Sequence, residues 1–157
     1  MKVAALFSGG KDSTYAIHLA KKLSHSVDVL LTLYPHSDES HLLHHPNIKF
    51  TTLQSESMEI PQLIEEIPSV ENETEFKKLE KLITLAKENH SIEGIVHGGI
   101  LSKYQKDNFS LICQKNDLEI ISPLWNKNPE SYMKELLEEN FEYIISSVSS
   151  DGLDDSW

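Results

Sequence analysis

The sequence predicts an α/β domain, with a doubly wound, mostly parallel sheet of five or six strands and helices on both faces. Two observations carry this. Short apolar runs of strand length alternate along the chain with longer stretches whose apolar residues recur at helical spacing. A β-α-β-α order of that kind builds a parallel sheet covered on both sides. The first run, Val3 to Phe7, is also continuously apolar and stops at Ser8-Gly9-Gly10, as a strand buried on both faces does before a tight turn.

After that turn Ala16, Leu19, Ala20 and Leu23 keep helical spacing. Asp12 stands near the start of this helix, where a carboxylate suits the positive end of the dipole. Val27 to Leu33 reads as a second strand, and Tyr34 to Asn47, with two prolines and four histidines, as a long loop. A short helix is predicted over Phe50 to Met58 and a third strand over Ile60 to Ile64, with Pro61 at its start. The acidic stretch Glu65 to Glu75 reads as a mobile loop. Asn72 with Glu75 three residues later forms a capping box, and Phe76, Leu79, Leu82, Ile83 and Ala86 then share one apolar face. Ile92 to His97 is a fourth strand closed by Gly98-Gly99. A helix from about Leu101 to Lys115 and a strand from Leu118 to Ile121 follow. Asn128 and Pro129 make an N-cap and first-turn pair for a helix through Glu139. Tyr143 to Val148 is read as the last strand. With no repeat, low-complexity run or linker, residues 1–157 are expected to form one domain, a size that supports a core of its own.

Composition narrows the partners. The net charge is −11, from 14 basic against 25 acidic residues, which opposes a long non-specific grip on nucleic acid. The single cysteine, Cys113, rules out an internal disulfide and fits a reducing, cytoplasmic setting. It falls in an apolar helical stretch and reads as structural. The apolar N-terminal run is too short for a signal peptide, and no run reaches membrane-spanning length. A soluble chain without a membrane partner is expected.

The chemistry concentrates in Ser8-Gly9-Gly10-Lys11-Asp12-Ser13, between the first strand and the first helix. Ligands of open α/β sheets bind outside the carboxyl ends of the strands. Glycines let backbone N–H groups approach an anion, the helix N-terminus adds positive potential, Ser8 and Ser13 offer hydroxyls, and Lys11 a cation. Together they describe a phosphate cradle. It is not a Walker A loop, because Ala5 rather than glycine stands five residues before Gly10, nor is it the dinucleotide pattern. A second pair, Gly98-Gly99, ends another strand on the same sheet edge and is expected to let backbone approach a nucleotide.

The six residues resemble the Ser-Gly-Gly-x-Asp-Ser signature of the PP-loop ATP pyrophosphatases, which have the adenine nucleotide alpha hydrolase-like fold. Further stretches resemble the diphthine–ammonia ligase family within that superfamily. Gly94 to Gln105 is similar to its Gly-x-x-x-Gly-x-Ile-x-Ser-x-Tyr-Gln stretch, and Ser40 to Asn47 to its Ser-Tyr-Met-Phe-His-Thr-Pro-Asn segment. Pro123-Leu124-Trp125 and Gly152-Leu153-Asp154-Asp155-Ser156-Trp157 match as well. The resemblance implies adenylation of a carboxylate by ATP, loss of pyrophosphate, and amidation by ammonia; the substrate it implies is diphthine on elongation factor 2. It further implies Ser8, Gly9, Gly10, Lys11, Asp12, Ser13, His44, Gly98 and Gly99 around ATP. Lys11, Asp12 and Ser13 would be catalytic, and Asp12 would help hold Mg²⁺. Lys103, Tyr104, Gln105 and Asp154 would lie toward the substrate. The chain departs from the family pattern at His41, Asn108, Asn126 and Lys127. The family also continues past the terminal motif into a Gly-Glu-Gly-Gly-Glu stretch, so this chain is expected to lack a C-terminal segment; apolar surface exposed in that way would be covered by a partner or by a second copy in a homo-oligomer.

The remaining candidates carry plainer readings. His41, His44 and His45 have spacing that suits one helix face and a metal, against a loop of solvated histidines. His97 is read as packed in an apolar strand whose end lies at the site. Tyr104 and Trp125 are equally readable as core, and Glu73, Glu75 and Glu80 as a solvated helix face. Two other functions stay open: another PP-loop enzyme, such as one modifying tRNA, and a nucleotide-binding module without turnover. The acidic balance and the absence of a Cys-x-x-Cys pair weigh against the tRNA enzyme.

Overall fold

The computed structural model describes residues 1–35, 48–67, 72–100 and 103–145, with backbone only at 72–74 and 104–106. Five strands, β1 (Lys2–Leu6), β2 (Ser26–Pro35), β3 (Gln62–Ile67), β4 (Gly94–Val96) and β5 (Glu119–Ile121), form one sheet in the order β3-β2-β1-β4-β5. Every pairing is parallel. Parallel neighbours need crossover connections, supplied here by α1 (Lys11–Lys22), α2 (Thr51–Met58, entered through a 3₁₀ turn at Ile48–Phe50), α3 (Asn72–His90) and α4 (Lys103–Lys115). Helix α5 (Pro129–Glu138) follows the last strand.

Strand alternation sorts the apolar residues into two cores, one on each face. Ala4, Leu6, Val29, Leu31, Leu33 and Ile95 face Leu79, Leu82, Ile83 and Ala86 of α3 and Phe109, Ile112 and Cys113 of α4. Val3, Ala5, Phe7, Val27, Leu30 and Val96 face Tyr15, Ala16 and Ala20 of α1 and Tyr132 and Leu136 of α5. The predicted fold class is therefore the observed one. Burial in the first core pushes the Cys113 thiol up to about 11, so it stays protonated and inert near neutrality. A bulge in β2 serves the sorting: Val3 pairs with Val27 but Ala4 with Val29, and the extra residue, Asp28, puts Val29 on the opposite face from Val27 and Leu30.

Four expectations change, the first at Glu75, which reads as part of a solvated helix face and is fully buried. β2 continues to Pro35, and β3 starts after Pro61 and runs to Ile67, because Tyr34 and Pro35 pair with Glu66 and Ile67. Glu65 to Ile67 are thus strand, not loop, and α3 already begins at Asn72; residues 68–71 lie outside the described ones. Of the proposed strand Tyr143 to Val148, Tyr143–Ile145 are unpaired and exposed, and 146–148 lie outside the described residues. Phe141 gives the reason, because its ring packs edge-on against Tyr15 and His18 and draws the chain onto α1 instead of beside β5. The α5 start is as predicted, with Pro129 in the first turn and the Asn128 side chain accepting a hydrogen bond from the Ser131 N–H at 3.0 Å. Among the described residues no helix is long and apolar enough to cross a membrane.

Candidate functional site

The strand order reverses direction between β1 and β4, and open α/β sheets bind ligands at that switch point, outside the strand carboxyl ends. Ser8 to Ser13 leave β1 there, and Gly98-Gly99 leave β4 beside them. The topology thus brings together the two glycine pairs that the sequence singles out.

The loop closes on itself through its serines. The Ser13 hydroxyl donates to the Gly10 carbonyl at 3.0 Å and accepts from the Ser8 N–H at 3.3 Å. The Ser8 and Ser13 hydroxyls lie 3.1 Å apart. Since the one Ser13 proton goes to Gly10, Ser8 is the donor between them. Ser13 is buried. Gly9 has φ +77, which favours glycine, and a Cβ on it would stand 2.3 Å from Gln54 Oε1. Gln54, on α2, donates from Nε2 to the Gly9 carbonyl at 3.0 Å. Gly10, the N-cap of α1, has ordinary extended backbone at φ −78 and ψ 164. A Cβ there would meet only Ser8 Oγ, at 3.6 Å. Neither the backbone conformation nor a protein contact requires a glycine at Gly10.

Lys11 and Asp12 occupy the first turn of α1. Lys11 Nζ is 2.9 Å from Asp12 Oδ1 and 5.9 Å from the centre of the Tyr132 ring. The Tyr132 hydroxyl donates to the same Oδ1 at 2.6 Å. Burial first, then the bond to Asp12, raises the Tyr132 pKa well above its ordinary value, so the phenol remains a donor. Asp12 is therefore held by α5 as well as by its own helix. Beside them, a Cβ on Gly98 would lie 2.7 Å from the Asp12 carbonyl carbon and oxygen and 2.8 Å from Ser13 N. Only glycine lets the β4 turn come so close to the start of α1.

His97, just past β4, is buried as expected, and it is also polar-bonded. Its Nδ1 accepts from the Gly99 N–H at 3.0 Å, and Nε2 lies 2.7 Å from Ser122 Oγ. Lys103 is exposed at the first position of α4. The side chains of Tyr104 and Gln105, and His41, His44, His45 and Asp154, lie outside the described residues. Among the described residues no group of three His, Cys, Asp or Glu side chains is arranged to hold a metal.

Gln54, Ser122 and Tyr132 were not legible as site residues. Tyr132 sits four positions from Leu136, so its spacing reads as core, which it also is. Gln54 and Ser122 carry no local signal, because sheet topology alone brings them to the loops.

A sequence model of the family described as diphthamide synthase N-terminal domain matches residues 1–120. The chain belongs to this family. Its described relatives include diphthine–ammonia ligases from Rattus norvegicus, 33% identical over 171 residues, and from Homo sapiens, 32% identical over 171 residues. Both alignments cover 98% of this chain and 64% of the relative, so the chain spans less than two thirds of those diphthamide synthase family members. The diphthine–ammonia ligase of Schizosaccharomyces pombe is 28% identical over 168 residues, covering 98% of this chain and 28% of its own length.

Proposed function

We propose that this chain is the ATP-binding part of an ATP-dependent amide-forming ligase, with residues 1–157 as one domain. The observation that supports it most is the Ser8–Ser13 loop at the switch point of a diphthamide synthase family sheet, with a Gly10 that no protein contact requires. The relatives' name pairs diphthine with ammonia, which in this reading are the carboxylate and the nitrogen donor; elongation factor 2 as the carrier of diphthine and a cytoplasmic setting belong to the proposal.

A carboxylate oxygen attacks the α-phosphorus of ATP, and the bond from that phosphorus to the bridging α–β oxygen breaks. The electron pair leaves on pyrophosphate. Ammonia then attacks the acyl-adenylate carbon, AMP leaves with the C–O bonding pair, and the nitrogen loses a proton to give the amide. The chain's task in the first step is to hold negative charge as it builds on the leaving group. In this reading the N–H groups of Gly9 and Gly10, the start of α1 and Lys11 do so. Lys11 and Asp12 neutralise each other in the structure. Bound phosphates would draw Lys11 away and leave the Asp12 carboxylate to a cation. A lone carboxylate with substrate phosphates fits Mg²⁺, which usually takes one or two carboxylates and keeps several waters. Mg²⁺ held there by Asp12 would supply charge neutralisation at the phosphates. His44, Gly98 and Gly99 complete the proposed nucleotide site, and Lys103, Tyr104, Gln105 and Asp154 the substrate side.

The test is turnover. Incubated with Mg²⁺-ATP, ammonium and diphthine-bearing elongation factor 2, the protein should release AMP and pyrophosphate and convert diphthine to its amide, read by mass spectrometry. Lys11→Ala should lower pyrophosphate release by at least about a hundredfold, the scale of losing one preorganised charge partner. ATP binding without pyrophosphate release in the presence of every substrate would sink the ligase reading, and undiminished turnover by Lys11→Ala would sink the assignment of the loop.

A further inference from the structure

We propose that His97 is a positioning residue for the phosphate cradle, holding the Gly98-Gly99 turn against the first turn of α1 through both ring nitrogens. The inference rests on the reading of Ser8 to Ser13 as the cradle.

A buried imidazole needs partners for both nitrogens. His97 is 2% exposed and has them. Nδ1 accepts the Gly99 N–H at 3.0 Å, so the ring proton sits on Nε2 and is donated to Ser122 Oγ at 2.7 Å. The ring plane is set by Phe109, packed edge-on at 5.3 Å, and the His97 N–H is tied to the Ile121 carbonyl at 3.0 Å. The histidine thus joins the end of β5 to the second residue of the turn after β4. Gly98 lies between the two tied positions and has no freedom to drift from either.

What Gly98 touches gives the tie its consequence. Its missing Cβ would overlap the Asp12 carbonyl and Ser13 N, each within 2.8 Å. A shift of the turn by a few tenths of an ångström therefore moves the peptide between Asp12 and Ser13 or opens a gap behind it. Ser13 in turn bonds Gly10 and Ser8, so the displacement passes into the cradle. The imidazole's need for a partner at Nδ1 is met by the amide of a turn that abuts the start of α1, so the bond that satisfies the ring also fixes that turn.

The two ring nitrogens can be separated by substitution. In His97→Asn, Oδ1 takes the place of Nδ1 and keeps the acceptor for Gly99; in His97→Gln, the amide takes the place of Nε2 and the Gly99 N–H loses its partner. One unmet buried hydrogen bond corresponds to roughly tenfold in an equilibrium constant. ATP affinity by titration calorimetry should fall by about that factor in His97→Gln and stay within about threefold of wild type in His97→Asn. The Gly99 amide should exchange quickly with solvent in the first variant and slowly in the second. Equal losses in both variants, tracking their melting temperatures, would reduce His97 to core filler, and so would unchanged affinity in His97→Gln. If His97→Gln does not fold, His97→Leu decides: it removes the acceptor of the Gly99 N–H at similar volume, so ATP binding should weaken about tenfold and Gly99 exchange speed up, and no change in either overturns the proposal. Wild-type protein that binds neither ATP nor pyrophosphate would instead overturn the cradle reading, and this inference with it.

Discussion

Gly9 and Gly10 are neighbours in sequence with different demands on them. Gly9 has positive φ and Gln54 Oε1 in the space a Cβ would take, so its lack of a side chain belongs to the fold. Gly10 has backbone that any residue adopts and open space around the missing Cβ, so under the proposed function its lack of a side chain is assigned to the ligand. Substitution should separate the two. Gly10→Ala should keep or slightly raise the melting temperature, since alanine restricts the unfolded chain by about 0.4–1 kcal/mol where the native backbone allows it. The same variant should bind ATP at least about tenfold more weakly, because the methyl group stands where phosphate oxygens must meet the loop N–H groups. Thermal melts and calorimetry on one preparation check both halves; full ATP affinity in Gly10→Ala would leave the glycine without a reason. At this scale the sequence was informative where the site is local. Ser8 to Ser13 are contiguous, so their chemistry is visible in one line. The contacts that fix them come from Gln54, Gly98 and Tyr132, and no periodicity marks a residue whose partner is far along the chain.

At the level of elements, the β3–α3 contact shows what polarity hides. Glu65 in β3 accepts hydrogen bonds from Lys78 at 2.5 Å and Lys81 at 3.0 Å on α3. The bond from Lys78, then that from Lys81, holds the Glu65 carboxyl below its ordinary value. A folded pKa lowered in this way gives stability above the unfolded pKa, about 4.3, and loses it as pH falls through the folded value. Glu65→Gln should therefore cost about 0.5–1 kcal/mol near pH 7, a modest figure because both lysines are partly exposed. The difference should shrink as pH falls through the lowered folded value of Glu65 and vanish at a pH below it, where both proteins carry a neutral side chain. Denaturant unfolding at the two pH values measures it, and a cost that persists in acid would place the loss in packing instead. The same residue explains a misread boundary. Glu65 and Glu66 look like the start of an acidic loop because the lysines and the β2 pairing that keep them in a strand are non-local. The helices and central strands were legible because their apolar periodicity reports which face is buried, and two cores answer to it. Tyr143 to Ile145 misled for the opposite reason: an apolar run makes a strand only when a neighbour accepts it, and Phe141 turns the chain toward α1.

Across the whole molecule, charge works against the proposed ligand at long range. The chain carries −11 and ATP is itself a polyanion. Among the described residues the favourable groups are few and local: the N-terminus of α1, the loop N–H groups, and a Lys11 already neutralised by Asp12. Far from the surface the nucleotide meets net repulsion; within the cradle it meets oriented donors. Salt separates the two ranges, because the screening length is about 30 Å at 0.01 M and about 8 Å at 0.15 M. Raising salt over that interval removes most of the distant repulsion and leaves contacts of about 3 Å much less affected. The association rate of ATP should therefore rise with salt while the dissociation rate changes little, the reverse of the usual behaviour for a phosphate ligand approaching a basic site. Stopped-flow binding of a fluorescent ATP analogue, with ionic strength as the only variable, reads both rates. An association rate that falls with salt would mean that the local field of α1 and Lys11 outweighs the net charge even at a distance, with the acidic residues clustered away from the carboxyl end of the sheet.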